Sequence, residues 1–133
     1  MALNKTEQLN ETLQQAIGSY HAGQLTQAIA QLEGDSKRFP KSPKLWGYLG
    51  FLYSERGAET KAIRAFRNAL RLSPRSEQAS LGLFHSLWRA GRMDDAFHEM
   101  RRFMKSNDSP RYLELLRDML SESKRAGLRR KSA

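Results

Sequence analysis

Trp46-Gly47-Tyr48-Leu49-Gly50-Phe51-Leu52-Tyr53 packs six large apolar or aromatic residues and two glycines into eight positions. By residue type it suits a buried strand, because aromatic side chains favour strands and glycines mark bulges. Spacing points elsewhere. Trp46, Leu49, Gly50 and Tyr53 stand at i, i+3, i+4 and i+7, which is one stripe of an α-helix. The segment between Ser42 and Gly57 is also long for a strand and right for a helix of about four turns.

The rest of the chain supports the helix. AGQLTQAI at 22–29, RGAETKAI at 56–63 and AGRMDDAF at 90–97 align without gaps. Gly23, Gly57 and Gly91 are spaced by 34, as are Ala28, Ala62 and Ala96, and Pro40 and Pro74. A fixed period of this length marks a repeat architecture. Each glycine follows a helix-length segment and can adopt the left-handed conformation that ends it. Each alanine lies early in the next helix, where a small side chain lets two helices approach. Pro40 and Pro74 stop the second helix of a pair. Ser42-Pro43 and Ser109-Pro110 are cap and first-turn pairs that open new helices. The expected fold is all-α: three helix–turn–helix units and a further helix at about 110–125.

A 34-residue helical hairpin with this signature resembles the tetratricopeptide repeat (TPR). Residues 43–76 carry the family pattern in Trp46, Leu49, Gly50, Tyr53, Ala62, Phe66, Ala69 and Pro74. Residues 9–42 match at Ala16, Ala28, Leu32 and Pro40, and residues 77–110 at Leu83, Ala96 and Met100. The resemblance implies an α-solenoid, a right-handed superhelix of three hairpins (about 9–42, 43–76 and 77–110). The last helix then looks like a solubilising cap. The expected domain is 1–125, followed by a basic, disordered tail at 126–133. Three departures carry expectations. Phe84 replaces a small residue, which predicts a splayed third hairpin. Asp35, preceded by Gly34, replaces a buried alanine, which predicts a frayed end to the second helix. Asp108 replaces the closing proline, so that helix is expected to run on or end differently.

The resemblance further implies a concave face lined by the first helix of each hairpin. Carried over position by position, it gives Leu13, Ile17, Tyr20, Tyr48, Phe51, Leu81, His85 and Trp88 as groove candidates. It also puts Lys44, Gly47, Gln78 and Gly82 on the concave side. Tyr48 and Phe51 lie opposite the Trp46–Tyr53 stripe on the helical wheel, so they cannot serve the same core. An apolar concave stripe suits an extended or helical peptide, and Trp88, Tyr48 and Tyr20 have the chemistry of interface anchors. The alternative is that the N-terminal turns, the cap or a second copy of the chain covers them. The cation-and-amide clamp by which some TPR proteins hold chaperone C-termini would fall on Leu13, Ile17, Tyr48, Gln78 and Gly82. Only Gln78 suits it, so a co-chaperone role is not expected.

The chain of 133 residues carries a net charge of +9, and the excess is local. Residues 43–76 have seven basic and two acidic residues, net +5, and residues 111–133 have seven and three, net +4. The remaining segments balance. Lys61, Arg64, Arg67, Arg71 and Arg75 recur at three- and four-residue steps away from Ala62, Phe66 and Ala69. Such a stripe can be a solvated face, or it can meet an acidic protein or nucleic acid. No nucleic-acid-reading motif accompanies it.

Nothing in the sequence forms a catalytic constellation. His21, His85 and His98 have no metal-ligand spacing, and the absence of cysteine excludes disulfides and thiolate sites. No apolar run approaches the ~20 residues of a spanning helix, and the N-terminus lacks a secretory pattern. The sequence therefore predicts a cytoplasmic, non-enzymatic interaction module without a cofactor. Its expected partner is a peptide or protein, with an acidic one favoured by the charge. Nucleic acid on the basic stripe is the rival, and self-association is a third possibility.

Overall fold

The computed structural model describes residues 2–132, with side chains described to residue 127. Among these residues there are seven α-helices and no strand: α1 Lys5–His21, α2 Leu25–Asp35, α3 Pro43–Glu55, α4 Glu59–Leu72, α5 Glu77–Arg89, α6 Met93–Ser106 and α7 Pro110–Ser132. WGYLGFLY lies wholly within α3. Consecutive helices pair as hairpins and stack into an α-solenoid.

The turns follow the 34-residue period. Gly23, Gly57 and Gly91 are the residues with positive φ, between 78° and 81°. Each takes the left-handed conformation that lets the chain reverse between paired helices. Asn4 caps α1 through a capping box with Glu7. Ser42 and Ser76 accept from the main-chain N–H of Leu45 and Ala79, and Ser109 from that of Tyr112. These caps satisfy main-chain donors that the first turn leaves unpaired.

One core runs through the stack. Ala28, Ala62 and Ala96 are completely buried. Phe66 is the wedge of the central hairpin. A Cβ on Gly50 would come within 2.9 Å of its ring, and one on Gly82 within 2.4 Å. Two neighbouring helices therefore close on one phenylalanine where only glycine leaves room.

The departures resolve differently. Helix α2 ends at Asp35. The period applied to the end of α4 at Leu72 would end it at 38, since 72 − 34 = 38. It therefore stops short, as expected, and Asp35 accepts from Thr12 Oγ1 at 2.7 Å. Helix α6 does not run on past Asp108. It ends at Ser106, in register with α4, because Asn107 donates from Nδ2 to the Phe103 carbonyl at 3.0 Å. Phe84 is buried in an aromatic cluster, stacked on Trp88 and edge-on to Phe97 and Tyr112 at 5.9–6.0 Å. Helix α7 passes the expected boundary near 125 and stays helical to Ser132. Residues 111–132 contain no proline and are rich in good helix formers. The basic side chains of Arg129, Arg130 and Lys131, and all of Ala133, lie outside the described residues.

A buried polar chain fastens α7. The Glu99 carboxylate accepts from Arg102 Nε at 2.8 Å and from Arg102 Nη2 at 2.7 Å. It also accepts from Ser80 Oγ at 2.6 Å. Ser80 spends its one proton on Glu99, so the 2.7 Å contact between the Ser80 and Tyr112 hydroxyls has Tyr112 as donor. Burial first, and the Glu99 charge after it, raise the Tyr112 pKa well above 10.0. The phenol stays protonated and able to donate.

Candidate functional site: the concave groove

Two clefts open side by side on the face of the odd-numbered helices. The first, of about 260 Å³, lies between α1 and α3 and is lined by Ile17, Tyr20, His21, Tyr48 and Phe51 over Ala16, Leu32 and Leu52. The second, of about 710 Å³, lies between α3 and α5 at the start of α7. Lys44, Gly47, Tyr48, Phe51, Gln78, His85 and Arg111 wall it, over a floor that includes Phe66 and Leu81. Tyr48 and Phe51 belong to both linings and form the ridge between them. Phe51 is 40% exposed, and Tyr20 meets its ring edge-on at 5.3 Å.

Helix α3 creates this ridge because its two faces have different work. Leu45, Leu49, Gly50, Leu52 and Tyr53 are buried against neighbouring helices. Tyr48 and Phe51 project from the remaining arc, as the wheel predicts.

Five of the eight groove candidates, Ile17, Tyr20, Tyr48, Phe51 and His85, stand together at the two clefts. Leu81 also borders the larger cleft, as buried floor at 6% exposure. Leu13 does not belong there: it is 2% exposed and packs in the core. Trp88 lines neither cleft. Its ring stacks on Phe84 and lies edge-on to Phe97 at 5.7 Å, so it serves the α5–α6 hairpin. One step on a helix turns a side chain by about 100°, and both corrections are of that size. Among the lining residues, Arg111 was not singled out by sequence. Its position as the residue after Pro110 in the first turn of α7 was its one signal.

Charge in the groove is one-sided, for no carboxylate lines either cleft. Arg111 is paired with Glu77 at 3.5 Å. The Lys44 side chain has no hydrogen bond or ion pair among the described residues. Desolvation, followed by the charges of Arg89 and Arg111, lowers the His85 pKa from 6.5. The imidazole is therefore neutral at pH 7.

The basic face lies on the outer side of α4. Lys61 sits over the Tyr53 ring at 5.7 Å. Arg71 donates to Asn68 at 3.4 Å, and Arg75 Nε to Asn107 at 3.1 Å. Arg64 and Arg67 are exposed, with no side-chain partner among the described residues. No described group of three or more His, Asp or Glu could hold a metal ion. No described helix is long and apolar enough to cross a membrane.

The tetratricopeptide repeat family model matches residues 2–115. Superkiller complex protein 3 of Mus musculus is 31% identical over 93 residues, covering 68% of this chain and 6% of that protein. The Peroxisomal targeting signal 1 receptor of Dictyostelium discoideum is 29% identical over 63 residues, covering 47% of this chain and 10% of the receptor. The chain thus spans a tenth or less of the length of these two relatives. Among solved structures, the Yersinia enterocolitica type III secretion chaperone SycD, in complex with a peptide of the translocator YopD, superposes with a TM-score of 0.74. That similarity covers 96% of this chain and 99% of the other at 15% identity, a likeness of fold. By pattern, fold and family match, the chain belongs to the tetratricopeptide repeat family.

Proposed function

We propose that this protein is a non-catalytic interaction module that binds a peptide or protein partner in its concave groove, acting as an adaptor, chaperone or inhibitor in the cytoplasm. The observation that carries the reading is the ridge of Tyr48 and Phe51. The core closes without it, yet it stands between two clefts that nothing in the chain fills. Rigid aromatic side chains beside open apolar clefts are the usual anchors of an interface. The likeness to SycD, whose structure holds a translocator peptide, and to a targeting-signal receptor, supports the same reading.

A photo-crosslinking amino acid at position 51, compared with one at position 64 in living cells, tests it. Position 51 is expected to give a covalent product with another polypeptide, and position 64 none. Products with nucleic acid from position 64 alone would favour the rival reading, which draws on the unpaired Arg64 and Arg67. Products from position 51 joining only copies of this chain would mean self-association.

A further inference from the structure

The two clefts differ in chemistry, and their order along the groove is fixed. The α1–α3 cleft is apolar. An engineered apolar cavity of about 150 Å³ holds benzene, so about 260 Å³ accommodates one phenyl or branched aliphatic side chain. The α3–α5 cleft is wider and carries Lys44 and Arg111 with the amide of Gln78. With His85 neutral and no carboxylate in the lining, its local charge is positive. Complementary charge at an interface selects partners and fixes their register.

The distance between the clefts sets a spacing. Helices packed side by side stand about 8–10 Å apart, so successive clefts follow at about that interval. A polyproline-like chain rises about 3.1 Å per residue and returns to the same face every three residues. Its residues i and i+3 are thus about 9 Å apart and point the same way. A β-strand puts same-face residues about 7 or 13 Å apart, and a helix needs about six residues for the same distance.

We propose that the groove, if it binds peptides as argued above, reads a short extended segment of a partner protein in which an aromatic or branched apolar side chain stands three residues from a carboxylate. The apolar group enters the α1–α3 cleft beyond the Tyr48–Phe51 ridge. The carboxylate lies in the α3–α5 cleft beside Lys44 and Arg111. Recognition depends on the pair, because either contact alone is exposed to water.

A display library of random dodecapeptides, selected against the full chain at moderate salt, tests this. Enriched peptides are expected to pair an apolar residue with Asp or Glu three positions away. Binding of a selected peptide is expected to fall about tenfold with Lys44→Glu, and to recover in part when the peptide's acid is changed to Lys. Lys44 is exposed, so circular dichroism of that variant should match the parent. Peptides that lose binding with Phe51→Asp but show no spaced acid, or no response to Lys44→Glu, would overturn the register and leave the groove reading intact. Peptides indifferent to Phe51→Asp, or a library with no binder, would overturn both. A chain that is dimeric until Phe51→Asp makes it monomeric would put a second copy in the groove and overturn the peptide proposal.

Discussion

At Gly82 an added Cβ would come 2.4 Å from the buried ring of Phe66, whereas at Gly18 it would meet nothing within 4 Å. Both glycines lie inside helices, so alanine gains about 1 kcal/mol of helix propensity at each. At Gly82 that gain is outweighed by overpacking, which costs about 1–3 kcal/mol. Thermal unfolding should show Gly18→Ala stabilised by up to about 1 kcal/mol and Gly82→Ala destabilised. Equal shifts in both variants would contradict the wedge. Gly50 was legible beforehand because it falls in the repeat signature. Gly82 was placed only on the concave side, since its constraint comes from Phe66, sixteen residues away on another helix. Leu13 and Trp88 were misplaced for a related reason: spacing gives the direction of an apolar residue on its own helix, not which neighbour covers it.

Among the elements, α7 depends on a buried chain of polar groups that no spacing announces. Glu99 and Arg102 read in sequence as an ordinary exposed i, i+3 pair, worth little. In the fold the Glu99 side chain is 8% exposed, and the pair bridges α6 through Ser80 to Tyr112. Removing one member strands the others. Glu99→Ala should cost about 3–5 kcal/mol in chemical denaturation. Tyr112→Phe should cost about 1 kcal/mol and speed hydrogen exchange in α7 more than in α3. Uniform acceleration would show that α7 is not held by this contact. The same tyrosine gives a pH dependence. Burial and then the hydrogen bond to Glu33 raise the pKa of Tyr53, and burial raises that of Tyr112, each from 10.0. Above pH 10 the unfolded phenols lose their protons while the folded ones keep them. Stability is therefore full below about pH 10 and falls as pH rises beyond it. Denaturation midpoints between pH 9 and 12 should drop less steeply in Tyr112→Phe.

For the whole molecule, the 34-residue period was enough to give the solenoid, because each hairpin repeats the same glycine turn and small-residue contact. The groove was half legible. Its aromatic ridge followed from the wheel, but its charge did not, since Lys44, Gln78 and Arg111 come from three hairpins and meet only in the stack. The net charge of +9 sits largely outside the groove. A groove complex with an acidic peptide should therefore weaken less than tenfold between 50 and 200 mM salt, measured by fluorescence anisotropy. Binding through several phosphates would fall far more steeply. The central claim is that the open ridge of α3 is where a polypeptide binds. Amide chemical-shift mapping with a display-selected peptide tests it most directly. The largest shifts are predicted at Ile17, Tyr20, Gly47, Tyr48, Phe51 and Gly82, with Arg64 and Arg67 unmoved; shifts confined to the outer face of α4 would contradict the account.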